Sequence, residues 1–384
     1  MSRLAFVTNI CPHYRVRTFE TLAAHHDVDY YFFSAGDDWY WMQAHGARSG
    51  DFRYRYLPGF RIFGTRITLT LPLALWRSGY DAYIKCINGR FALPVTYLAA
   101  RLAGRPFILW TGIWMRLQTP AHRLLFPVTR YVYRHADAVV VYGDHVKRFL
   151  EAEGVASERV FVAPHAVDNA AYNRVVGAEE QIALRQKLTI DATAKVVLYV
   201  GRLEVGKGLP ILLDAFAALK QGDAVLVLVG EGSDRAQLEH MAHTLGIADR
   251  VRFAGYVDPP GTVVCYALAS VHVLPSITTR VFKEPWGLVV NEAFNQGVPV
   301  VATEAVGAAA GGLVRHGING YVVPERDTAA LAHALARILD DQTLRKTMGD
   351  NARSGIVDWN NDRMVLGFRQ AIAYVLADRR RPRR

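Results

Sequence analysis

Short apolar runs, rich in β-branched and aromatic residues, alternate with helical periods along nearly the whole chain, and the alternation starts twice. In the first half the runs are LAFVTNI (4–10), VDYYFFS (28–34), YDAYIKCI (80–87), PFILWTG (106–112), ADAVVVYG (136–143) and VFVAP (160–164). Helical stretches such as RTFETLAAHH (17–26), PVTYLAARLAG (94–104) and DHVKRFLEAEG (144–154) lie between them. The second series has strand runs at 195–201, 224–230, 250–256, 271–276, 299–303 and 320–323, with helices at 210–220, 234–246, 262–270, 287–297 and 327–341. A strand that is apolar on both sides needs cover on both faces, so each series predicts a parallel sheet between helices. The fold class expected is α/β, with two doubly wound domains: 1–188 and 189–360. The polar segment HAVDNAAYNRVVGAEE (165–180) lacks a strand signal and marks the joint. A C-terminal helix over 361–378 is expected to pack across the domain junction, ahead of a basic tail ending at residue 384.

Composition removes several classes. Hydrophobic residues are 51% and charged residues 21% of 384, a globular balance. Cys11, Cys86 and Cys265 are far apart and odd in number, which argues against a disulfide framework or a zinc site. The first apolar stretch is four residues, too short for a signal peptide, and no run approaches a membrane-spanning length. The expected location is the cytoplasm, either free or peripheral on the inner face of the cytoplasmic membrane. The net charge of +10 is uneven: residues 1–188 carry 23 Lys/Arg against 15 Asp/Glu, and the tail RRRPRR adds five arginines. Such charge suits a phosphate-bearing substrate or an anionic membrane surface. No recognition motif accompanies it, so nucleic acid is not an expected partner.

After the first strand of the second series comes GRLEVGKGLP (201–210). It nearly matches the P-loop pattern G-x-x-x-x-G-K-[ST], but Gly208 stands where a nucleoside-triphosphatase needs a hydroxyl for Mg²⁺. The glycines, Arg202 and Lys207 remain to be explained. VGEGSDR (229–235) follows the second strand and SITTRVFKEPWG (276–287) the fourth, so all three motifs fall on the carboxyl edge of one sheet, where open α/β sheets bind ligands. Pro285 suits a helix start, and the amides of Gly287, Leu288 and Val289 then favour an anion. Glu292 is five residues past Gly287, about 7.5 Å along a helix, so Glu284 and Glu292 are placed to meet different parts of one ligand.

The spacing Glu284-PWGLVVN-Glu292 resembles the E-x7-E motif of retaining GT-B glycosyltransferases, in particular glycosyltransferase family 4. The resemblance covers about 195–341: GRL..GKG, VGEG, FAGYV, PS, EPWGLVVNEAFNQGVPVVAT and HGINGYVV, in that order. It implies two Rossmann-like domains facing across a cleft, the first for the acceptor and the second for the donor. It implies that Arg202 and Lys207 hold the donor diphosphate, and that Glu284 binds hydroxyls of the transferred sugar near the amides of Gly287, Leu288 and Val289. Glu292 would accept from the ribose, Tyr256 and Val257 would lie beside the base, and Gly201, Gly230 and Gly232 would let the chain approach the nucleotide. Arg202, Lys207 and Glu284 are the expected catalytic groups. Two fixed cations beside the leaving diphosphate stabilise the transition state without a metal. The activity implied is retaining transfer from a nucleotide-diphosphate-sugar to a saccharide or lipid-linked saccharide, with no cofactor beyond the donor. A sugar-nucleotide epimerase and a non-catalytic membrane-associated subunit are the competing readings.

The first half departs from the family pattern. Its first loop, TNICPHYRVRTFETL (8–22), has no glycine. Its Pro-x-Tyr-Arg element resembles a subgroup of bacterial polysaccharide-type transferases. That places His13, Tyr14, Arg15 and Arg17 toward the acceptor; the alternative is a turn and a solvated helix start. The histidine many relatives carry after the strand PFILWTG is replaced by Thr111-Gly112-Ile113-Trp114, and His165 is expected to serve as a hinge. Asp27-Val28-Asp29 fits a D-x-D metal pattern but reads better as a solvated strand entry, and no metal is expected. Aromatics and arginines over 37–78, including Trp39, Trp41, Trp76, Arg61 and Arg66, suit either a membrane interface or an ordinary packed domain with a basic rim.

Overall fold

The computed structural model describes residues 1–34, 51–76 and 79–378. The chain forms two compact units. The first comprises Met1–Arg116, Pro120–Ala166 and the C-terminal helix from Asn361; the second comprises Leu117–Thr119 and Val167–Asn360.

The first unit contains β1 (Arg3–Thr8), β2 (Asp27–Phe32), β3 (Tyr54–Tyr56), β4 (Phe60–Ile62), β5 (Thr65–Ile67), β6 (Ala82–Cys86), β7 (Phe107–Thr111), β8 (Ala138–Val141) and β9 (Val160–Val162). Seven of them make one parallel sheet in the order β3-β2-β1-β6-β7-β8-β9. Every residue of β6, β7 and β8 is buried, as strands covered on both faces require. Phe6 anchors the core, its ring 5.2 Å from Phe19, 5.7 Å from Trp110 and 5.8 Å from Phe368. Phe368 belongs to the C-terminal helix Asn361–Asp378, which packs on β8, β9 and the helix His13–His25. The Thr18 hydroxyl donates to Asn361 Oδ1 at 2.7 Å and fixes the start of that helix.

The second unit contains β10 (Lys195–Val200), β11 (Ala224–Val229), β12 (Val251–Gly255), β13 (Val271–Leu274), β14 (Val300–Thr303) and β15 (Gly320–Val323). They form a parallel sheet in the order β12-β11-β10-β13-β14-β15. In this sheet the strand order reverses between β10 and β13, and in the first sheet between β1 and β6. These are the two points where the connections diverge and the carboxyl edge opens.

All twelve expected strands are present within a few residues. Three short strands were not expected. β3 extends the first sheet, and β4 and β5 form a separate antiparallel ribbon whose residues are half or wholly exposed, so no buried face imposed a period on them. The helix Pro120–His135 was also unforeseen; Pro127 lies inside it, and only Val132 and Tyr133 of its side chains are buried. Helix Ala178–Lys187 has no buried residue and is marked instead by Glu180, which accepts from the Gly177 amide at 3.2 Å.

Gly208 joins β10 to the helix Leu209–Ala217 in the left-handed conformation, with φ +66°. A Cβ there would lie 2.1 Å from the Pro275 carbonyl oxygen. The P-loop serine or threonine is therefore excluded by packing. Gly208→Ser should cost about 2 kcal/mol or more, from the left-handed backbone and the clash together, and lower the unfolding midpoint by several degrees. A thermal unfolding scan of the variant, matching the parent within one degree, would contradict this account of the turn.

Candidate functional site

The loops after β10 and β13 meet at the reversal point of the second sheet. Ile277 N–H donates to Gly206 O at 3.0 Å, and Gly208 lies against Pro275. The loop after β11 closes on the same structure. Gly201 N–H donates to Val229 O and Leu203 N–H to Glu231 O, both at 2.9 Å. A Cβ on Gly230, at φ +134°, would lie 1.9 Å from Gly201 O; one on Gly232 would lie 2.1 Å from Leu203 O. The close approach these glycines permit in the structure is thus between two loop backbones. Gly230 N–H donates to Gly255 O at 2.8 Å, which sets the exposed Tyr256 and the half-buried Val257 immediately beyond that junction.

Lys207 and Glu284 form an ion pair across the reversal point, Nζ donating to Oε2. Their side chains are only 13% and 10% exposed, so water screens the pair weakly. Ser276 Oγ donates to the same Glu284 oxygen at 3.0 Å, and the Lys207 ammonium sits 5.0 Å from the centre of the Phe282 ring. Gly307 N–H donates to Glu284 O at 3.0 Å, and Glu284 bridges Val306, so the glutamate backbone is tied to β14's far loop. Arg202 lies on the same loop as Lys207 and pairs with Glu204 at 2.9 Å, while its carbonyl accepts from the Tyr199 hydroxyl at 2.7 Å. The sequence reading gave Lys207 to a diphosphate and Glu284 to a sugar; the structure brings the two groups together.

Trp286 is buried and its indole N–H donates to Asn291 Oδ1 at 2.9 Å, which pins the turn before helix Val289–Asn295. Gly287 takes φ +93° in that turn. The first bonds of the helical turn are donated by Val290 to Gly287 O and by Glu292 to Leu288 O, so Gly287, Leu288 and Val289 carry its N-terminal amides. Glu292 has a different set of partners. It accepts from the Tyr266 hydroxyl at 2.7 Å and from Tyr172, and burial raises its pKa to about 7 despite these two donors. Tyr172 packs with Val167, Val176 and Val263, next to Leu288. The sequence reading missed Ser276, Phe282, Tyr172 and Tyr266. Ser276 and Phe282 lay inside the quoted loop SITTRVFKEPWG; the two tyrosines carried no local signal.

In the first unit, Arg15 is buried and its guanidinium carbon lies 4.6 Å from the centre of the Trp110 ring. Its Nη2 donates to the Tyr142 hydroxyl at 3.3 Å. Tyr142 stacks on His165 at 4.5 Å, and Tyr14 meets His165 edge-on at 5.6 Å; His13 lies edge-on to Tyr14 at 5.3 Å. Burial pushes the His165 pKa well down, so it is neutral. The solvated helix start holds for Arg17, which is exposed and 3.8 Å from Glu20, and fails for Arg15. At position 112, where relatives' histidine was sought nearby, a Cβ would lie 2.3 Å from the Tyr142 ring. Asp27 and Asp29 are ion-paired with Arg53, and Arg3 lies 3.5 Å from Asp29. Among the described residues no group of three or more His, Cys, Asp or Glu is gathered as a metal site needs. Cys11, Cys86 and Cys265 are free and buried. Trp39, Tyr40, Trp41, Arg48, Arg77 and the RRRPRR tail lie outside the described residues. No helix among the described residues is long and apolar enough to cross a membrane.

Comparison with known proteins gives the arrangement a family. Residues 16–171 match the model of Glycosyltransferase Family 4, and residues 180–355 that of Glycosyl transferases group 1. A GDP-mannose-dependent alpha-(1-6)-phosphatidylinositol monomannoside mannosyltransferase of Mycobacterium tuberculosis is 31% identical over 289 residues, 71% of this chain and 72% of that protein. An uncharacterised glycosyltransferase of Methanocaldococcus jannaschii is 32% identical over 187 residues, 48% of this chain and 46% of its own length, so the match spans about half of that relative. Among solved structures, Anabaena HepE in complex with UDP superimposes with a TM-score of 0.77 at 22% identity, over 97% of this chain and all of that one. The chain belongs to the GT-B glycosyltransferases, with a family 4 first region and a group 1 second region.

Proposed function

We propose that the protein is a retaining glycosyltransferase that uses a nucleotide-diphosphate-sugar and needs no metal for transfer. The observation that carries this is the shielded Lys207–Glu284 pair at the reversal point of the second sheet, with Arg202 on the same loop. Anions bind at such carboxyl edges, beside helix N-termini. In this reading Lys207 and Arg202 receive the donor diphosphate, and Glu284, freed of part of its salt bridge, takes hydroxyls of the sugar. The sugar C1–oxygen bond to the diphosphate breaks, and the acceptor oxygen bonds C1 from the same face. The acceptor's proton passes to the departing diphosphate oxygen, whose negative charge the two cations stabilise. Glu292 accepts from the ribose, and Tyr256 and Val257 flank the base. HepE was solved with UDP and with UDP-glucose, and the mycobacterial relative is named for GDP-mannose; both support a nucleotide-sugar donor without choosing the base.

The acceptor in this reading is a saccharide or a lipid-linked saccharide presented at an anionic membrane surface, as in polysaccharide or glycoconjugate synthesis. The β4–β5 ribbon supports the lipid. Its turn places Phe63 at φ +46° and 98% exposed, followed by Gly64 at φ +70°. A bulky residue held in that conformation and in water is doubly unfavourable unless an apolar phase receives it. Phe60 and Ile62 are exposed on one face, while Arg61 and Arg66 pair on the other.

Three outcomes test this. Thermal shift with UDP, GDP and ADP should show one diphosphate stabilising the parent clearly. Lys207→Ala should lose most of that shift and lower kcat/KM by about 10²-fold or more. Because Lys207→Ala leaves Glu284 nearly buried and uncompensated, it should also lower the unfolding midpoint. The double variant Lys207→Met with Glu284→Gln should recover stability without recovering the shift. Equal ligand shifts in parent and Lys207→Ala would remove the diphosphate role.

Glu292 gives a pH dependence. The ribose needs the carboxylate, and with a pKa of about 7 the ionised fraction grows about tenfold between pH 6 and pH 8. Affinity for the preferred diphosphate should therefore rise by about that factor beyond the change seen in Glu292→Gln. Parallel pH profiles in calorimetry would contradict it. Finally, sedimentation with anionic vesicles at low salt should capture the parent, and Phe63→Asp should weaken capture several-fold. Parent that stays in the supernatant ends the membrane reading.

A further inference from the structure

The two sheets carry a cation at the same topological place, but with opposite compensation. In the second, Lys207 is answered by Glu284. In the first, Arg15 follows β1 beside the reversal between β1 and β6, and among the described residues no carboxylate answers it. Its neighbours are neutral: the Tyr142 hydroxyl at 3.3 Å, the faces of Trp110 and Tyr14, and the buried Cys86 thiol. Nη2 is the one guanidinium nitrogen with an acceptor among the described residues, and Nε is buried without one. Arg15 is 92% shielded by residue, since its exposure is 8%. A guanidinium does not lose its proton in a protein, so this charge stays in a site shielded from water, which is costly without an anion. Lys85, a second buried cation among the described residues of the unit, shows the contrast: its ammonium donates to Cys86 O and Asn88 O and lies on the Phe33 face, and burial lowers its pKa to about 8. Lys85 is satisfied by carbonyls; Arg15 is not.

Arg15 also lies in the first turn of a thirteen-residue helix, His13–His25, whose N-terminal amides favour negative charge at the same edge. The Tyr142 hydroxyl accepts from Arg15 and keeps its own proton to donate. Burial pushes the Tyr142 pKa up, so that proton is held.

We propose that Arg15 and Tyr142 form a phosphate receptor in the first unit, and that the acceptor is a saccharide bearing a phosphate or diphosphate group. The identification of that phosphate with the acceptor rests on the glycosyltransferase reading above; binding of the anion does not. The site uses the guanidinium fork and a neutral hydroxyl, a donor set that suits a phosphate oxyanion. The His165 ring stacks on the Tyr142 phenol beside this site.

The test is a phosphate titration of the full chain carrying Lys207→Ala, so that the donor side does not compete, with sodium chloride at matched ionic strength as the control. Inorganic phosphate should stabilise this protein in thermal unfolding and quench tryptophan fluorescence through Trp110. Adding Arg15→Met should weaken phosphate binding at least tenfold while leaving the phosphate-free unfolding midpoint unchanged or higher, because an uncompensated buried charge is gone. Arg15→Lys keeps the cation over the ring and loses the fork; several-fold weaker binding is expected, and this variant serves if Arg15→Met fails to fold. Glycerol phosphate and farnesyl diphosphate then separate a soluble from a lipid-borne phosphate, with glycerol and farnesol as neutral controls. Equal phosphate affinity in the Arg15 variants and the parent would overturn the proposal, as would an Arg15→Met protein that is less stable yet responds to phosphate unchanged. Because the titration involves neither donor nor transfer, its failure and a failure of the donor-site reading are read separately.

Discussion

The salt bridge between Lys207 and Glu284 is the interaction on which the second unit's site depends. It joins two loops that leave neighbouring strands of the sheet, β10 and β13, at the place where strand order reverses. Both partners are largely out of water, so neither charge is tolerable alone. The backbone makes the pairing possible: Gly208 can lie against the Pro275 carbonyl only because it has no side chain, and that contact sets the distance between the loops. On the proposed function, a phosphate group arriving at Lys207 would exchange one oxyanion for another, which costs less than charging an empty site. The pair is the folded state's solution to a buried lysine and, on the proposed function, a preorganised receptor as well.

Glu292 is built on different terms. Among the described residues it has no cation; two tyrosine hydroxyls share it, and burial favours its protonated form. In the proposed function Glu292 meets the ribose as the carboxylate, so the nucleoside end of the ligand would be read by a pH-sensitive group and the phosphate end by fixed charges. The first unit offers a third arrangement, in which the buried Arg15 lies on an aromatic face with a single neutral oxygen as its hydrogen-bond partner. These three degrees of compensation, paired, shared and unanswered, match the proposed division among donor phosphate, donor ribose and a second anion.

Much of this was legible in the sequence and some of it could not be. The fully buried strands β6, β7, β8 and β11 announce themselves because a covered parallel sheet demands unbroken apolar runs. The exposed ribbon and the helix Ala178–Lys187 bury almost nothing, so no periodic signal marks them. Glu284, Glu292, Arg202 and Lys207 were found from ordered motifs, yet the salt bridge was not, because its partners are 77 residues apart and only the strand order makes them neighbours. Tyr172 and Tyr266 reach Glu292 for the same reason. Gly208 looked like a lost hydroxyl; the structure shows a position where no side chain fits. From the sequence Arg15 reads either as facing the acceptor or as part of a solvated helix start; its burial beneath Trp110, within β7, and Tyr142, just after β8, comes from elements far from it in sequence.

The most direct test of the central claim is a crystal structure with the preferred nucleotide diphosphate bound. The account predicts diphosphate oxygens within hydrogen-bond distance of Lys207 Nζ and the Arg202 guanidinium, the ribose on Glu292, and the Lys207–Glu284 contact lengthened or broken. A diphosphate bound away from the loop 201–208, with that salt bridge intact, would contradict it.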